Sequence, residues 1–268
     1  MELFWIVILA GYAICVAQSV LALTTKRPLM QRTSLAALGV AFGAHTAWLV
    51  IKGIRANRCP LVGTEEMSSF LSWSLVVSYL IASRWYRAAA LKTFVFPIVL
   101  ALATIAAISP DMQGGGRAVN QPLQDVLLPI HVGLILLAYA AFFITFGAGL
   151  MYIIQERELK NKRFGTIFYR LPSLDTCDSI GSRSMAIGFV LLTLGILAGL
   201  WFTHARYGVY WQGGPLEIFS IATWVIYLLL IQTRVTAGWG GRAGALASIV
   251  SFLIVVCSLV GVRYFGHA

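Results

Sequence analysis

The sequence predicts an all-α fold, a polytopic bundle of about eight transmembrane helices with both termini outside, forming one integral membrane domain over residues 1–268. Of the 268 residues, 59% are apolar and only 11% are charged, and the mean hydropathy is +0.83. Soluble domains are about half apolar and about one quarter charged, so this composition excludes a soluble enzyme. Aromatic residues make up 12% of the chain, which excludes a disordered protein.

Apolar runs separated by polar segments define the predicted spans. A helix crosses the bilayer with about 20 apolar residues, so the chain has room for about eight spans. Pro215 stands where a helix start accepts proline. The polar segment 52–66 holds Pro60 and Gly63 and is predicted to be a loop, and 155–183 is the longest polar segment. In order, the predicted spans are 4–23, 34–51, 67–83, 91–108, 126–154, 185–203, 215–232 and 244–262.

The distribution of basic residues predicts the orientation of the helices. Most of the 20 Lys and Arg residues fall in the segments after the first, third, fifth and seventh spans. Because basic loops stay in the cytoplasm, these segments are expected inside and both termini outside. The net charge of +10 is therefore interpreted as an orientation signal in a multi-pass protein of the cell inner membrane, and no nucleic-acid partner is expected.

With this orientation, all four histidines lie on the outer side. His45 falls in the outer half of the second span, His131 at the outer start of the fifth, and His204 and His267 in external segments. An ionisable residue within a span needs a partner and is a functional candidate. A neutral imidazole is also a good axial ligand for haem iron. The alternative, that each histidine is a solvated or structural residue, remains open from position alone.

The segment 207–217 is aromatic and glycine-rich, and includes Tyr210 and Trp211. It is either an interfacial aromatic belt or a flat external platform for a planar ligand. Glu217 is predicted in the first turn of the seventh helix, where the helix dipole favours a carboxylate. The sequence lacks a dinucleotide fingerprint, a zinc-protease motif, a C-x-x-C pair and a recognisable nucleophile–base pair. These features favour a binding and presenting module over a catalyst with its own nucleophile.

Several segments together resemble one family, the haem-handling cytochrome c assembly proteins, the group containing CcsA, CcmC and the HemX/YpjD-type proteins. The order and spacing of these segments carry the resemblance. They are PLVGTEEMSSFLSW at 60–73, LLPIHVGL at 127–134, LAYAAF at 137–142, LPSL at 171–174, GFVLLTLG at 188–195 and TWVIY at 223–227.

The family signature is an external tryptophan-rich loop that ends in Trp-Asp-Pro-Lys-Glu and is flanked by two external histidines. Here Gly213 and Gly214 stand in place of Trp-Asp, and Leu216 in place of Lys, so the platform is degenerate. His204 has no family counterpart. The resemblance implies non-covalent b-type haem near the outer face, held by His131 and His267, with His45 inside the bundle and Tyr210, Trp211 and Glu217 in the platform.

Three functions follow as alternatives. The first is a haem-binding membrane protein of cytochrome c biogenesis type, which would present haem to an apocytochrome c or to a separate periplasmic assembly partner. The second is a HemX-like regulator of tetrapyrrole synthesis, in which the basic segment 155–183 meets a cytosolic enzyme or an anionic lipid surface. The third is a haem-free accessory subunit built on the same bundle, which the Gly213–Gly214 replacement motivates.

Overall fold

Eight α-helices and no β-strand form the described part of the computed structural model, which covers residues 2–24, 28–56, 59, 61, 63–86, 90–109, 122–162, 165 and 168–265. The predicted all-α class is confirmed. The helices are α1 (Glu2–Thr24), α2 (Pro28–Ala56), α3 (Thr64–Trp85), α4 (Leu91–Ile108), α5 (Pro122–Lys160), α6 (Leu174–Tyr207), α7 (Pro215–Thr236) and α8 (Gly241–Phe265).

Six of these helices are long and apolar enough to cross a membrane. They are α1, α2, α4, α5, α6 and α7. Helix α3 has two glutamates in its first turn and an arginine in its last, and the apolar segment described in α8 is shorter, Gly241–Cys257. The polytopic bundle is thus confirmed, whereas the spanning of α3 and α8 and the sidedness of the termini stay predictions.

The polar segment predicted at 155–183 is helical at both of its ends. Helix α5 continues to Lys160, and α6 begins at Leu174, eleven residues before the predicted span at 185. The Ser173 side chain caps α6 by accepting a hydrogen bond of 3.3 Å from the Thr176 amide, and Asp175 lies in the first turn. Hydropathy marks where a helix leaves the bilayer, and capping marks where it ends.

The described chain groups into two compact units, and the first comprises Met1–Ala118 and Glu158–Pro172. Within it, α1 packs against α2 and α4, and α3 packs against α4 and α2. A Cβ at Gly11 would lie 2.6 Å from the Cβ of Ala41, so glycine permits the close crossing of α1 and α2. The Ser72 hydroxyl donates to the Val99 carbonyl oxygen at 2.9 Å, which joins α3 to α4.

The second unit comprises Val119–Arg157 and Ser173–Ala268 and has its own apolar core. At its centre the rings of Phe142 and Tyr227 stack, with centroids 3.5 Å apart and planes 6° apart. At one end of the unit, Arg234 pairs with Asp178, whose second oxygen accepts from the Gly241 amide at 3.0 Å. These contacts tie the start of α6 to the end of α7 and the start of α8. That the chain forms one membrane domain stays a prediction.

Candidate functional site

His131 lies in α5 and reaches across to the backbone of α6. Its Nδ1 is 2.7 Å from the carbonyl oxygen of Gly195, and the side chain is half-buried. Because a carbonyl oxygen only accepts hydrogen bonds, Nδ1 carries the proton and donates it. The neutral ring then keeps its lone pair on Nε2, the tautomer that metal-binding histidines adopt when a second hydrogen bond orients them.

Gly199 of α6 makes room for this ring, and Gly195 makes room for the side chain of Ile135 beside it, because a Cβ at Gly195 would lie 2.8 Å from Ile135 Cδ1. Gly195 and Gly199 are one turn apart and so share a helix face. A Cβ at Gly199 would lie 2.6 Å from both Cε1 and Nδ1 of His131, closer than any real side-chain contact. We call this pair of glycines the glycine notch. Their G-x-x-x-G spacing, which is typical of close helix contacts in membranes, is the sequence signal that points to it.

Glu217 organises the loop that precedes α7. Its Oε2 accepts hydrogen bonds from the backbone amides of Gln212, Gly213 and Gly214, at 3.0, 2.8 and 3.3 Å. The loop begins at Gly208, which ends α6 in the left-handed conformation with φ 74°. The predicted position of Glu217 in the first turn of α7 is confirmed, and its carboxylate binds the loop as well as the helix start.

The loop presents an exposed aromatic surface. Tyr210 and Trp211 are 60% and 46% exposed. The ring of His204 stacks on Tyr210, with centroids 4.0 Å apart and planes 5° apart. His204 lies in the last turn of α6, which continues four residues beyond the predicted sixth span at 185–203. A stacked imidazole there supports Tyr210 from the helix side.

His45 belongs to the first unit and is fully buried in α2. Its Nδ1 is 3.0 Å from the Tyr12 hydroxyl of α1, and its Nε2 is 2.8 Å from the Ser69 hydroxyl of α3. Trp5 and Trp48 pack beside the ring. Both ring nitrogens are therefore engaged, and a ligand at either one must first displace a hydroxyl.

A buried ion pair lies on the same α2–α3 contact as His45. Lys52 of α2 pairs with Glu65 of α3, and both side chains are about nine-tenths buried. The Lys52 ammonium also lies 5.3 Å from the centre of the Trp48 ring. The interpretation of 52–66 as one polar loop is thus wrong at both ends, because the mutual charges allow these residues to be helical and buried.

The structure distributes the predicted site residues between the two units. His131, Tyr210, Trp211 and Glu217 lie in the second unit, and His45 lies in the first. His267 lies outside the described residues. Among the described residues, no group of three or more His, Cys, Asp or Glu side chains converges to hold a metal ion. The second unit thus combines one oriented imidazole with an exposed aromatic loop.

The chain is similar in sequence to proteins of cytochrome c assembly. Residues 61–268 match the family described as cytochrome C assembly protein. The chain is 24% identical over 251 residues to the cytochrome c biogenesis protein CcsA of Synechococcus sp. (strain CC9605), covering 85% of this chain and 83% of that protein. It is 26% identical over 285 residues to CcsA of Gloeothece citriformis (strain PCC 7424), covering 89% and 87% respectively.

The fold is also similar to a solved structure, the cytochrome c heme lyase CcmF, with a TM-score of 0.65 and 17% sequence identity. The match covers 98% of this chain and 49% of that chain, so this chain spans about half the length of CcmF. At this identity the match shows likeness of fold. The family match, which covers more than half of the chain, shows kinship of sequence as well.

Proposed function

Because the chain belongs to the cytochrome c assembly protein family, we propose that it binds haem and presents it for cytochrome c assembly, with His131 as an axial ligand of the haem iron. It is a multi-pass membrane protein of cytochrome c biogenesis. In this function the protein is a binding and presenting module. Haem is its cargo, and the proteins that supply and accept the haem are its partners.

The hydrogen bond from His131 to the Gly195 carbonyl carries the proposal. It fixes the ring orientation and leaves the Nε2 lone pair for a metal. A bare metal ion needs several protein ligands, and no such cluster is present in the described residues. Haem iron receives its equatorial ligands from the porphyrin, so one oriented imidazole with a second axial ligand suffices.

The external loop supplies the second supporting observation. Tyr210 and Trp211 offer exposed ring faces on which a planar ligand stacks. Glu217 keeps the loop folded through the three backbone amides, so the rings are held in place before the ligand arrives. The aromatic loop and His131 belong to the same compact unit.

The remaining site assignments form part of the same proposal. His267 is the second ligand near the outer face, and the haem is b-type and bound non-covalently. His45 acts within the bundle, where a ligand role requires it to exchange its bond to Ser69 or Tyr12 for iron. The site faces outward from the inner membrane, toward an apocytochrome c or a separate periplasmic partner. The relatives named CcsA favour this function over the regulatory alternative.

The test is the haem content and spectrum of the purified protein in mild detergent. We expect about one haem per chain in this outer site and a reduced-minus-oxidised spectrum of a bis-histidine haem. His131→Ala should lose this haem while remaining folded. Added imidazole should then restore a haem spectrum, since a free imidazole replaces a lost ligand but does not repair a collapsed fold.

Two results would contradict the proposal. A His131→Ala protein with full haem content would exclude His131 as a ligand. A folded wild-type protein that binds no added haem would exclude haem handling and favour the accessory-subunit alternative.

A further inference from the structure

One face of α6 carries both the glycine notch and a single basic residue. Gly195, Gly199 and Arg206 are separated by four and seven residues. At 3.6 residues per turn, these three positions lie within about 40° of one another around the helix axis. Arg206 is about 10 Å farther along α6 than Gly199, toward the loop that carries Tyr210. Arg206 therefore lies on the His131 side of α6, two turns nearer the external loop.

The Arg206 side chain is exposed at this end of the helix and is oriented by its neighbour. Its Nε donates a hydrogen bond of 3.3 Å to the Tyr207 hydroxyl, and its guanidinium carbon lies 5.6 Å from the centre of the Tyr207 ring. Arg206 is also the only Lys or Arg in the sequence between Arg183 and Arg234. Arg206 is thus the one cation that the second half of α6, the loop and most of α7 can offer to an anionic ligand.

We propose that Arg206 binds a carboxylate of the porphyrin whose iron His131 ligates, and so selects tetrapyrroles with free propionates. This inference rests on the proposed function and adds the recognition of the ligand's charge. A guanidinium matches a carboxylate with two parallel hydrogen bonds, the strongest polar pairing available to an exposed arginine. The arginine side chain and a propionate arm together span the distance of two helical turns that separates Arg206 from the notch.

Arg206 has a second physical role that predicts a different result. A cation in the last turn of a helix is favoured by the helix dipole, and Arg206 also packs on Tyr207. If those contacts were its whole role, its loss would destabilise the helix end and weaken every ligand equally. Carboxylate recognition instead makes the effect depend on whether the ligand carries free carboxylates.

The experiment compares protoporphyrin IX with its dimethyl ester, each in the metal-free and the iron form. Dissociation constants are measured by titration for wild type, Arg206→Gln, Arg206→Lys and Arg242→Gln. Arg242 is an exposed arginine at the start of α8 and serves as the charge-matched control. For each protein, the dissociation constant of the ester is divided by that of the free acid, and the value for a variant is then divided by the value for wild type. Partitioning of the porphyrins into detergent is the same for all proteins and so drops out of this comparison.

We expect Arg206→Gln to reduce the preference for the free acid over the ester by about tenfold, the usual effect of removing one charged hydrogen-bond pair. Arg206→Lys should keep part of the preference, and Arg242→Gln should keep all of it. Equal weakening of acid and ester by Arg206→Gln would overturn the inference, and so would an unchanged preference.

The metal-free porphyrin separates this inference from the proposed function, because it binds without iron ligation. If His131→Ala changes nothing in the iron porphyrins while Arg206→Gln removes the acid preference, ligation by His131 fails and carboxylate recognition stands. If His131→Ala removes the spectrum of the bound iron porphyrin while Arg206→Gln leaves the preference for the free acid unchanged, ligation by His131 stands and carboxylate recognition by Arg206 fails. A wild-type protein that binds none of the four porphyrins overturns both.

Discussion

The substitution Gly199→Ala tests the glycine notch directly. The new Cβ would lie 2.6 Å from Cε1 and Nδ1 of His131, whereas ordinary contact begins near 3.4 Å. The imidazole must therefore move by about 0.8 Å, and movement away from α6 lengthens the 2.7 Å bond to Gly195 to about 3.5 Å. This is beyond the normal range of a hydrogen bond, so the ring loses the contact that orients it.

Two quantities should change in the Gly199→Ala protein. Loss of the partner that orients a metal-binding histidine typically lowers metal affinity by about 10- to 100-fold, and we expect that range for haem. Overpacking costs about 1–3 kcal/mol and a lost hydrogen bond about 1 kcal/mol, against a gain of about 1 kcal/mol from replacing glycine by alanine in a helix. The free energy of unfolding should therefore fall by about 1–3 kcal/mol.

The assay is haem titration by absorbance together with unfolding in detergent, and Gly181→Ala is the matched control. Gly181 lies in the same helix, but a Cβ there meets the nearest side-chain atom, the Ala148 Cβ, at 3.7 Å, which is ordinary contact. The control should bind haem like wild type and be equally or slightly more stable. If Gly199→Ala binds haem with wild-type affinity and an unchanged spectrum, the orienting role of the notch is refuted.

Two further substitutions test the loop and the buried ion pair. Glu217→Ala removes the acceptor of three loop amides, so we expect faster proteolysis of the loop, a changed Trp211 fluorescence and weaker haem binding. Glu217→Gln keeps an acceptor oxygen and should behave closer to wild type; equal behaviour of the two variants would contradict this role. Lys52→Met removes the cation facing buried Glu65 and should lower the free energy of unfolding by about 3–5 kcal/mol, whereas replacing both residues with apolar ones should cost less. Denaturant unfolding measures this difference, and a fully stable Lys52→Met protein would contradict it.

The helices were predictable because hydropathy and length directly report the requirements of a bilayer. The ends of the helices were harder to predict. Helix α6, for example, is extended by capping interactions of Ser173 and Asp175, which a hydropathy pattern does not show. Lys52 and Glu65 were predicted in a loop for the same reason, because both are charged and hydropathy alone assigns charged residues to polar segments. Two opposite charges can be buried together only when their helices pack against each other. A hydropathy pattern does not show that pairing.

Parts of the candidate site were predictable from the sequence, and parts were not. His131 and the aromatic loop follow from residue type and position, and an ionisable His45 within a span predicts a polar partner. The identity of that partner does not follow, because Tyr12 and Ser69 lie 33 and 24 residues away in sequence. The contact of His131 with Gly195 joins residues 64 apart, so it depends on which faces of α5 and α6 meet.

The two glycines at positions 213 and 214 affect which residues of the proposed haem site contribute most to binding. The bonds that Glu217 accepts come from backbone amides, so they need no side-chain donor at positions 213 and 214. Gly213 moreover adopts φ 74°, a conformation that glycine accepts without strain. Compared with the Trp-Asp of the resembled family, two glycines keep the backbone amides that bind Glu217 but supply one ring face and one carboxylate fewer. Under the proposed function, a smaller stacking surface means that more of the binding energy comes from ligation and from charge. Loss of His131 or Arg206 should then weaken haem binding most.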